Sequence, residues 1–409
     1  MNFCVVDRNG EVSKVSRETL PESAPGRYVP FGQSSYYLPD TLPPDTEFEF
    51  DADFQTTLQD AIYQLGRLDG IGEESNTSPL VYTTLIRREA VESVLIEGGN
   101  IDIEDVFRPD EIERDDTTRK DVREALNYEG AIREGARRVT GGGEIREGAR
   151  RVTGGGEITV SLLKDLHRML LDGVRDQCDT PGEFRRKPIH IPPLEPHMEP
   201  FRPPSSNRVP ELMVDLEQYI ATGSAHHDLV DLGIVHYQFE TIHPFGDGNG
   251  RLGRVLITLQ LIQQGYLSKP YLYPSAYFNE HKIEYVNKMR AVSERGDWES
   301  WITFFLDGIR QQAADAVVRT EKLRDLRKEY EREYGHEKTA ADRLAMRLFK
   351  QPYVTTSDVV DLLDVSDQTA RNAIGELEAS DVLEETTGKE RYREYRAVDI
   401  FEILGESFE

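Results

Sequence analysis

Cysteine is scarce in this chain, with two residues, Cys4 and Cys178, among 409. Two thiols so far apart form no disulfide framework, so we expect reduced thiols and a cytoplasmic protein. Long hydrophobic runs are also missing, because no window approaches about 18 uninterrupted apolar residues, and this excludes a membrane-spanning helix. The N-terminus has no basic flank before an apolar stretch, so we predict no signal peptide.

Lysine is also scarce: 12 Lys stand against 37 Arg within the 49 basic residues, beside 75 acidic residues and a net charge of −26. A chain this acidic repels nucleic acids and anionic membranes unless it gathers a basic patch. Excess acid with little lysine favours a salt-rich cytoplasm, where charges are screened within about 3 Å at molar salt. An ordinary acidic protein from a GC-rich genome is the alternative. The 38% of hydrophobic residues suffice for several cores, which excludes disorder throughout the chain.

The length predicts two to three domains of about 150 residues each. Short β-like pieces and prolines open the chain, and helical spacing begins with Phe54, Leu58, Ile62 and Leu65. We therefore expect a mainly α protein in four parts: an N-terminal arm at 1–50, a helical region at 51–114 with a second helix at about 80–97, a helical core at 115–330, and a C-terminal module at 336–409.

An exact tandem repeat lies inside the core region. The sequence IREGARRVTGGGE occupies 132–144 and recurs unchanged at 145–157. A period of 13 residues seen twice is too short and too few for a solenoid. We interpret 132–157 as an insertion tolerated between two helices, because surface loops accept added length at little cost. A modified functional loop is the alternative.

A glycine-rich turn at 243–251, HPFGDGNGR, joins two apolar helical segments. Its alternating glycines permit positive φ, and the next helix begins there, so backbone N–H groups and the helix dipole favour an anion. Arg251 and Arg254 lie on one face of that helix and predict phosphate binding. Asp247 would repel phosphates unless a cation joins them, which implies magnesium. His243 is suited to act as a base at neutral pH. The turn lacks GxxxxGK, so it is not a Walker loop.

These nine residues match the Fic family motif, HPFx(D/E)GNGR, without a mismatch, and the chain resembles Fic proteins over about residues 35–330. The resemblance implies an all-helical Fic core and transfer of AMP from ATP to a Ser, Thr or Tyr hydroxyl of a target protein, or of the chain itself. It implies that His243 deprotonates the hydroxyl and that Asp247 holds magnesium. The nucleotide-binding residues it implies are Glu97, Asp247, Gly248, Asn249, Gly250, Arg251, Leu252, Gly253, Arg254 and Tyr285.

Further segments resemble the family. The sequence PGEFR at 181–185 is similar to the PGxFR that precedes a short β flap, and 187–193 stands where that flap pairs with an extended target segment. Its prolines remove N–H donors, which leaves the pairing register open. The sequence FRPP at 201–204 matches the run that follows the flap. Tyr285 lies in a helix that closes over the adenine in the family, with core packing as the alternative role.

Residues 93–98, SVLIEG, match the family's inhibitory pattern (S/T)xxxE(G/N), and we call them the inhibitory segment. Ser93 and Glu97 share a helix face, and Gly98 ends the helix. Glu97 falls in the last turn, where the helix dipole disfavours an acid, so it requires a cationic partner. The resemblance names Arg254 as that partner, which implies that Glu97 takes the γ-phosphate position and holds ATP in a non-productive pose. A solvated glutamate at a helix end is the alternative.

The C-terminal module, 336–409, has the pattern of a helix-turn-helix with a two-stranded wing around Gly388. It resembles the winged helix found on many Fic proteins. Acidic residues dilute its basic patch, so we favour dimerisation or target docking over DNA binding. The residues that would contact nucleic acid are Gln368, Arg371, Asn372, Lys389 and Arg391.

The leading hypothesis is an autoinhibited, magnesium-dependent protein adenylyltransferase, and a homodimer is compatible with it. One alternative keeps the site but changes the reaction, to UMP transfer or to removal of AMP from a target. The other is a DNA-binding regulator whose Fic core senses nucleotide. Intact His243 and Asp247 favour the enzyme, because a sensor would not require them.

Overall fold

The computed structural model describes short strands at 4–6 and 12–14, followed by residues 20–32, 34–74, 79–108, 116–141, 156–174, 180–194 and 198–406. Cys178 and most of the second repeat copy, within 142–155, lie outside the described residues. In the described part of the chain, no helix is both long and apolar enough to cross a membrane.

The fold is mainly helical, with small two- and three-stranded sheets, which confirms the predicted class. The helices up to the end of the core are α1 (Ala52–Glu74), α2 (Pro79–Ile96), α3 (Asp116–Val139), α4 (Val160–Leu170), α5 (Val209–Thr222), α6 (Asp228–Ile242), α7 (Asn249–Gln263), α8 (Ser275–Glu280), α9 (Lys282–Arg295) and α10 (Trp298–Glu333). The remaining elements before α1 are β1 (Cys4–Val6), β2 (Val12–Lys14), β3 (Gly26–Phe31) and β4 (Ser34–Pro39).

Two buried helices, α6 and α7, form the centre of the core. Nearly every residue from Leu229 to Ile242 and from Leu252 to Ile262 is buried, and helices that are apolar on all sides belong inside a protein. Helices α2, α3, α4, α5 and α10 pack around this pair. The glycine-rich turn between α6 and α7 is therefore anchored at both ends by rigid, buried helices.

The predicted periodicity of the first helix holds in the structure. Phe54, Leu58 and Leu65 are buried, and Ile62 is half-buried against the same core. This apolar face of α1 packs along α10, which runs for 36 residues. Packing of an amphipathic face, rather than propensity, accounts for most of the stability of such helices.

The N-terminal residues form a hairpin that lies on the core. Strands β3 and β4 pair antiparallel, with Gly26 opposite Pro39. The buried ring of Tyr37 packs on Phe201, and the backbone N–H of Tyr37 donates to the carbonyl of Arg202. The amide of Gln238 in α6 donates to the carbonyl of Asp40. The hairpin thus covers the segment that follows the predicted flap.

The predicted flap has almost no strand structure. Within 180–194 and 198–204, its regular pairing is one antiparallel bridge, in which Ile191 and Phe201 exchange both backbone hydrogen bonds, of 2.8 and 3.0 Å. Pro188, Pro192 and Pro193 cannot donate to a ladder, which explains why the pairing stops at a single bridge.

The C-terminal residues form a helix-turn-helix with a three-stranded sheet, in which β7 (Glu394–Ala397) lies between β5 (Tyr353–Thr355) and β6 (Leu383–Glu385). Both predicted helices are present, with Thr355 and Ser366 as their N-caps. Helix α11, strand β5 and helix α14 were not expected from the sequence. The elements are α11 (Ala340–Leu348), β5 (Tyr353–Thr355), α12 (Thr356–Leu363), α13 (Asp367–Ala379), β6 (Leu383–Glu385), β7 (Glu394–Ala397) and α14 (Val398–Gly405).

Helix α14 is held against α10 by a buried arginine. Arg319 is 1% exposed, and its Nε donates to Asp315 Oδ2 at 2.9 Å. Its remaining donors reach the carbonyls of Ile403, Leu404 and Glu406 at the end of α14. Cations near a helix C-terminus stabilise the exposed carbonyls, so one side chain ties the last helix to the core.

We predict that Arg319→Ala lowers the free energy of unfolding by about 3–5 kcal/mol, because it leaves the buried carboxylate of Asp315 without its cation. The control is Arg327→Ala on the same helix, which breaks a partly exposed pair with Glu331 and should change stability by less than about 1 kcal/mol. Urea unfolding of the whole chain measures both. Equal losses in the two variants would refute the anchoring role of Arg319.

Candidate active site

His243 stands at the C-cap of α6 in the left-handed conformation, with φ 48° and ψ 63°. This conformation is uncommon for a residue with a Cβ and persists only where surrounding contacts determine it. Arg185, which is 2% exposed, supplies several of these contacts. Its Nε donates to the carbonyl of His243 at 2.8 Å, and its guanidinium also reaches the carbonyls of Ile242 and Pro204. Arg185 thereby fixes the direction in which the chain leaves α6.

The ring of His243 has a defined tautomer. Its Nδ1 lies 3.2 Å from the carbonyl oxygen of Glu240, which can only accept, so Nδ1 carries the hydrogen and Nε2 keeps its lone pair. Burial lowers the pKa of His243 to about 4, so the ring is neutral at pH 7. A neutral imidazole with a free Nε2 is the form that accepts a proton.

The turn itself is braced from inside by an amide and a second histidine. Asn249 and Phe245 exchange two hydrogen bonds, of 2.8 and 2.9 Å, between the amide side chain and the backbone. The ring of His167 stacks on Phe245 with centroids 3.8 Å apart. Its Nδ1 accepts from the N–H of Gly182, so its Nε2 donates to the carbonyl of Asp247 at 2.9 Å. The turn is therefore held in one shape before any ligand binds.

Asp247 lies at the exposed edge of the turn, with its side chain 48% exposed. Its Oδ1 accepts from the N–H of Gly248 at 2.6 Å and from Arg251 at 3.3 Å. Among the described residues, no group of three or more potential ligand side chains is placed to hold a metal ion. Mg²⁺ is usually bound through one or two carboxylates together with substrate phosphates, and a single half-exposed carboxylate beside an anion site fits a cation shared with a nucleotide.

The two arginines of the motif have different partners. Arg251 is 3% exposed and forms an ion pair of 2.7 Å with Glu124 of α3, in addition to its contact with Asp247. Arg254 points the other way, toward α2. Arg251 thus ties the start of α7 to α3, while the expected phosphate contact of Arg251 remains a prediction.

Arg254 is 1% exposed and donates hydrogen bonds to the inhibitory segment. Its Nε donates to Ser93 Oγ at 2.9 Å, and its Nη2 donates to the Ser93 carbonyl at 3.0 Å and to Glu97 Oε1 at 2.8 Å. Burial alone would raise the pKa of Glu97, but the charge and hydrogen bond of Arg254 outweigh burial and lower it. Glu97 is therefore ionised at neutral pH, and the pair is a full ion pair.

The carboxylate of Glu97 also lies against the start of α7. A Cβ added to Gly250 would stand 2.3 Å from Glu97 Oε1 and 2.9 Å from Arg254 Nη1. Asn249 and Gly250 are the first residues of that helix, where N–H groups have no acceptor within the helix and the dipole is positive. The protein's own carboxylate thus stands at the anion site that the sequence predicts.

Helix α2 is held in this position from α8 and α9. Glu89 accepts from both the N–H and the hydroxyl of Ser275, and Asn279 donates to Glu92 at 3.0 Å. Lys282 donates to the carbonyl of Ile96 at the end of α2, where a cation complements the helix dipole. Gly98 follows with φ 94°, which turns the chain away immediately after Glu97.

A cavity of about 210 Å³ opens beside these residues. Tyr285 lines it and is buried, with its hydroxyl 2.8 Å from Nε2 of His236. Its ring stacks on Phe278 with centroids 4.8 Å apart, so it contributes both to the core and to the cavity wall. The other residues of the cavity include Glu97, Glu240, His243, Gly250, Arg254 and, from the flap, Ile191, Pro192 and Pro193.

The residues predicted to contact nucleic acid are partly engaged within the module. Arg371 donates to Asp367 at 2.8 Å, and Gln368 donates to Asn372 at 2.9 Å. Lys389 and Arg391 are exposed near the wing. An arginine paired with an aspartate offers less positive charge to a phosphate, which agrees with the acidic dilution noted in the sequence.

Some residues of the site were not singled out from the sequence. His167, Glu124 and Lys282 act on the turn and on α2 from other helices, and Glu240 stands one turn before His243. Arg185 was noted only as part of PGEFR. An acid in an otherwise apolar helix is the sequence signal that could have marked Glu240.

Models of known families match three stretches of the chain. Residues 157–261 match the Fic/DOC family, and residues 55–137 match the Fic/DOC family N-terminal region. Residues 341–393 match the DeoR-like helix-turn-helix domain.

Curated relatives agree over part of the chain. Two proteins named protein adenylyltransferase Fic, from Aedes aegypti and Drosophila melanogaster, are 29% and 30% identical over 152 residues. These residues make up 37% of this chain, and 27% and 28% of the relatives. The matched region thus spans little more than a quarter of the length of these relatives.

Solved structures share the fold. A Fic family protein from Desulfovibrio desulfuricans superposes with a TM-score of 0.53 at 20% identity, covering 88% of this chain and 99% of the other. A Fic domain-containing signaling protein from Bacteroides thetaiotaomicron gives 0.50 at 18% identity, covering 64% of this chain and 96% of the other. At these identities the likeness concerns the fold alone. The family models and the complete HPFGDGNGR motif show that residues 55–137 and 157–261 are similar to the Fic/DOC family, and that residues 341–393 are similar to a DeoR-like helix-turn-helix domain.

Proposed function

We propose that this protein is a magnesium-dependent adenylyltransferase that transfers AMP from ATP to a hydroxyl of a target protein, and that Glu97 holds it inactive. The observation that carries the proposal is the carboxylate of Glu97 lying between Gly250 and Arg254. The carboxylate of Glu97, a group of the protein itself, thus lies where we expect the motif to bind a phosphate.

The nucleotide fits this site through its phosphates. The N–H groups at the start of α7 and the guanidinium of Arg254 bind the negative charge of the phosphate chain. The cavity beside Tyr285 then receives the adenine, next to the flap residues Ile191 and Pro192. One end of the ligand is thus bound by charge and the other by apolar walls, which is the usual composition of a nucleotide site.

The chemistry requires one proton transfer and one displacement. His243 accepts the proton of the target hydroxyl on Nε2, while the hydroxyl oxygen forms a bond to the α-phosphorus. The bond from that phosphorus to the bridging oxygen breaks, and pyrophosphate leaves. Because the pKa of His243 lies near 4, the basic form is already present at neutral pH. Such reactions depend mainly on positioning and on stabilisation of charge.

Asp247 is the residue that would hold magnesium. The ion would neutralise charge on the phosphates and the departing pyrophosphate when bound. In the protein itself, His167 fixes the backbone at Asp247 through its hydrogen bond to the carbonyl, so the carboxylate is presented from a rigid turn.

The inhibited state follows from competition for one guanidinium. Arg254 is buried and makes three hydrogen bonds to the inhibitory segment, so a γ-phosphate cannot take the same donors while Glu97 remains. ATP then binds with its phosphates displaced, and the α-phosphorus is out of line with the attacking hydroxyl. Misplacement of about 1 Å is enough to reduce a reaction rate by about a hundredfold.

We predict that Glu97→Gly increases transfer of label from α-labelled ATP to protein by about tenfold or more, which corresponds to at least about 1.4 kcal/mol. Glu97→Gln is the matched variant: it keeps a hydrogen-bond acceptor but loses the charge, so its increase should be smaller. Autoradiography after incubation with magnesium and a cell extract, at matched salt, compares the parent protein with the two variants.

A double variant separates released catalysis from exposure of new sites. Glu97→Gly with His243→Ala should lose about 10²–10⁴-fold of the released activity, the usual contribution of a general base. If Glu97→Gly labels no more protein than the parent, the inhibitory role of the segment is refuted. If the double variant labels as strongly as Glu97→Gly, His243 is not the base.

We also predict that Asp247→Asn, in the Glu97→Gly background, lowers transfer by about a hundredfold or more. The substitution weakens the binding of the cation that offsets the phosphate charge. EDTA should lower transfer by a similar factor in Glu97→Gly with Asp247 intact. Asp325→Asn, which changes an exposed carboxylate on α10, is the control and should leave the rate unchanged. Full activity in EDTA would contradict a role for magnesium.

A further inference from the structure

Glu240 is an acid in an unfavourable place. It lies in the last turn of α6, where the helix dipole is negative, and that turn carries no basic residue. Its Oε1 is buried and has no hydrogen-bond partner among the described residues. Buried polar atoms in native proteins are almost always paired, so an exception requires an explanation.

Helix α7 leaves room for this carboxylate. A Cβ added to Gly253 would stand 2.2 Å from Glu240 Oε1 and 3.2 Å from the ring of Phe239. Any other residue at 253 would therefore force the carboxylate away. Gly253 lies within the regular helix α7, so no bend of the backbone requires a glycine there. The glycine instead leaves room for the side chain of Glu240.

The other oxygen of Glu240 faces the catalytic ring. Its Oε2 is 3.9 Å from Nδ1 of His243, and the backbone carbonyl of the same residue accepts the Nδ1 hydrogen at 3.2 Å. Both polar parts of Glu240 therefore act on the nitrogen opposite the one that would accept the proton. A carboxylate in this position stabilises an imidazolium.

We propose that Glu240 is a positioning residue that orients the imidazole of His243 and, through its own charge, sets how strongly that ring holds a proton. The proposal rests on the proposed function for the ring's role as a base. The coupling between the two side chains is independent of that function and is measured without it.

In the described part of the chain, four charged or titratable groups face Glu240. Arg254 of α7 favours its ionised form, Glu97 of α2 opposes it, and His243 and Tyr285 lie beside it. Burial is the largest influence and raises the pKa of Glu240 to about 8. The carboxyl group is thus mostly protonated at pH 7 and gains its charge as the pH rises through about 8. The proton goes to solvent, and His243 becomes a stronger base above that pH.

The test is the chemical shift of His243 Cε1 in the whole chain, labelled at histidine and followed from pH 6 to 9.5, with the signal assigned by its loss in His243→Ala. We expect a step near pH 8, far above the ring's own titration, and we expect Glu240→Gln to remove it. Glu211→Gln, which changes an exposed acid on α5, should retain the step. Glu240→Asp should reduce it, and it provides a second test if the Gln variant is unstable.

A step that persists unchanged in both Glu240 variants would overturn the proposal. The activity arm uses Glu97→Gly, in which transfer should rise about threefold to tenfold across the same pH interval and lose this rise when Glu240→Gln is added. If that rise survives the second substitution, Glu240 does not set the strength of the base. If Glu97→Gly transfers nothing at any pH while the Cε1 step still depends on Glu240, the proposed function fails and the coupling stands.

Discussion

The arrangement of the site depends on one buried guanidinium. Arg254 is almost completely enclosed, and a cation in that setting must have an anionic partner, because an unpaired buried charge is strongly destabilising. In the structure the partner is Glu97, supported by the hydroxyl and carbonyl of Ser93. The proposed substrate offers a phosphate to the same donors. A nucleotide that took these donors would therefore have to replace the contribution that Glu97 and Ser93 make to holding α2 against α7.

Helix α2 contacts several parts of the chain. At its C-terminal end Lys282 and Asn279 hold it in position, and at its middle Arg88 donates to the carbonyl of Leu404 in α14. The loop after α2 also contacts the helix-turn-helix module, because Nε and Nη2 of Arg108 in this loop both donate to Oε2 of the buried Glu394, at 3.2 and 2.9 Å. Helix α2 and the loop after it are thus in contact with both the helical core and the C-terminal module.

The sequence predicted the parts of the site that depend on local structure. The turn at 243–251, the end of α2 just before Glu97 and the two helices of the helix-turn-helix follow from glycines, caps and helical spacing, which act over a few residues. The cap of the first of these helices is Thr355, one residue before the Thr356 or Ser357 that the sequence indicated. His167 and Arg185 were not predicted, because they contact the turn from 80 and 58 residues away and nothing in their neighbourhood indicates where they point. Within the described residues the flap has a single bridge, because its prolines lack N–H donors, and its pairing with a target segment stays a prediction. The short elements β5 and α14 are fixed by contacts with β7 and α10 rather than by their own pattern.

The most direct test of the account is the intact mass of Glu97→Gly after incubation with equal concentrations of ATP, GTP, CTP and UTP and with magnesium. We expect the mass to rise by one or more units of AMP, with no rise when His243→Ala is added. A rise that corresponds to another nucleotide or to phosphate, or a mass that does not change, would contradict adenylyl transfer released by the loss of Glu97.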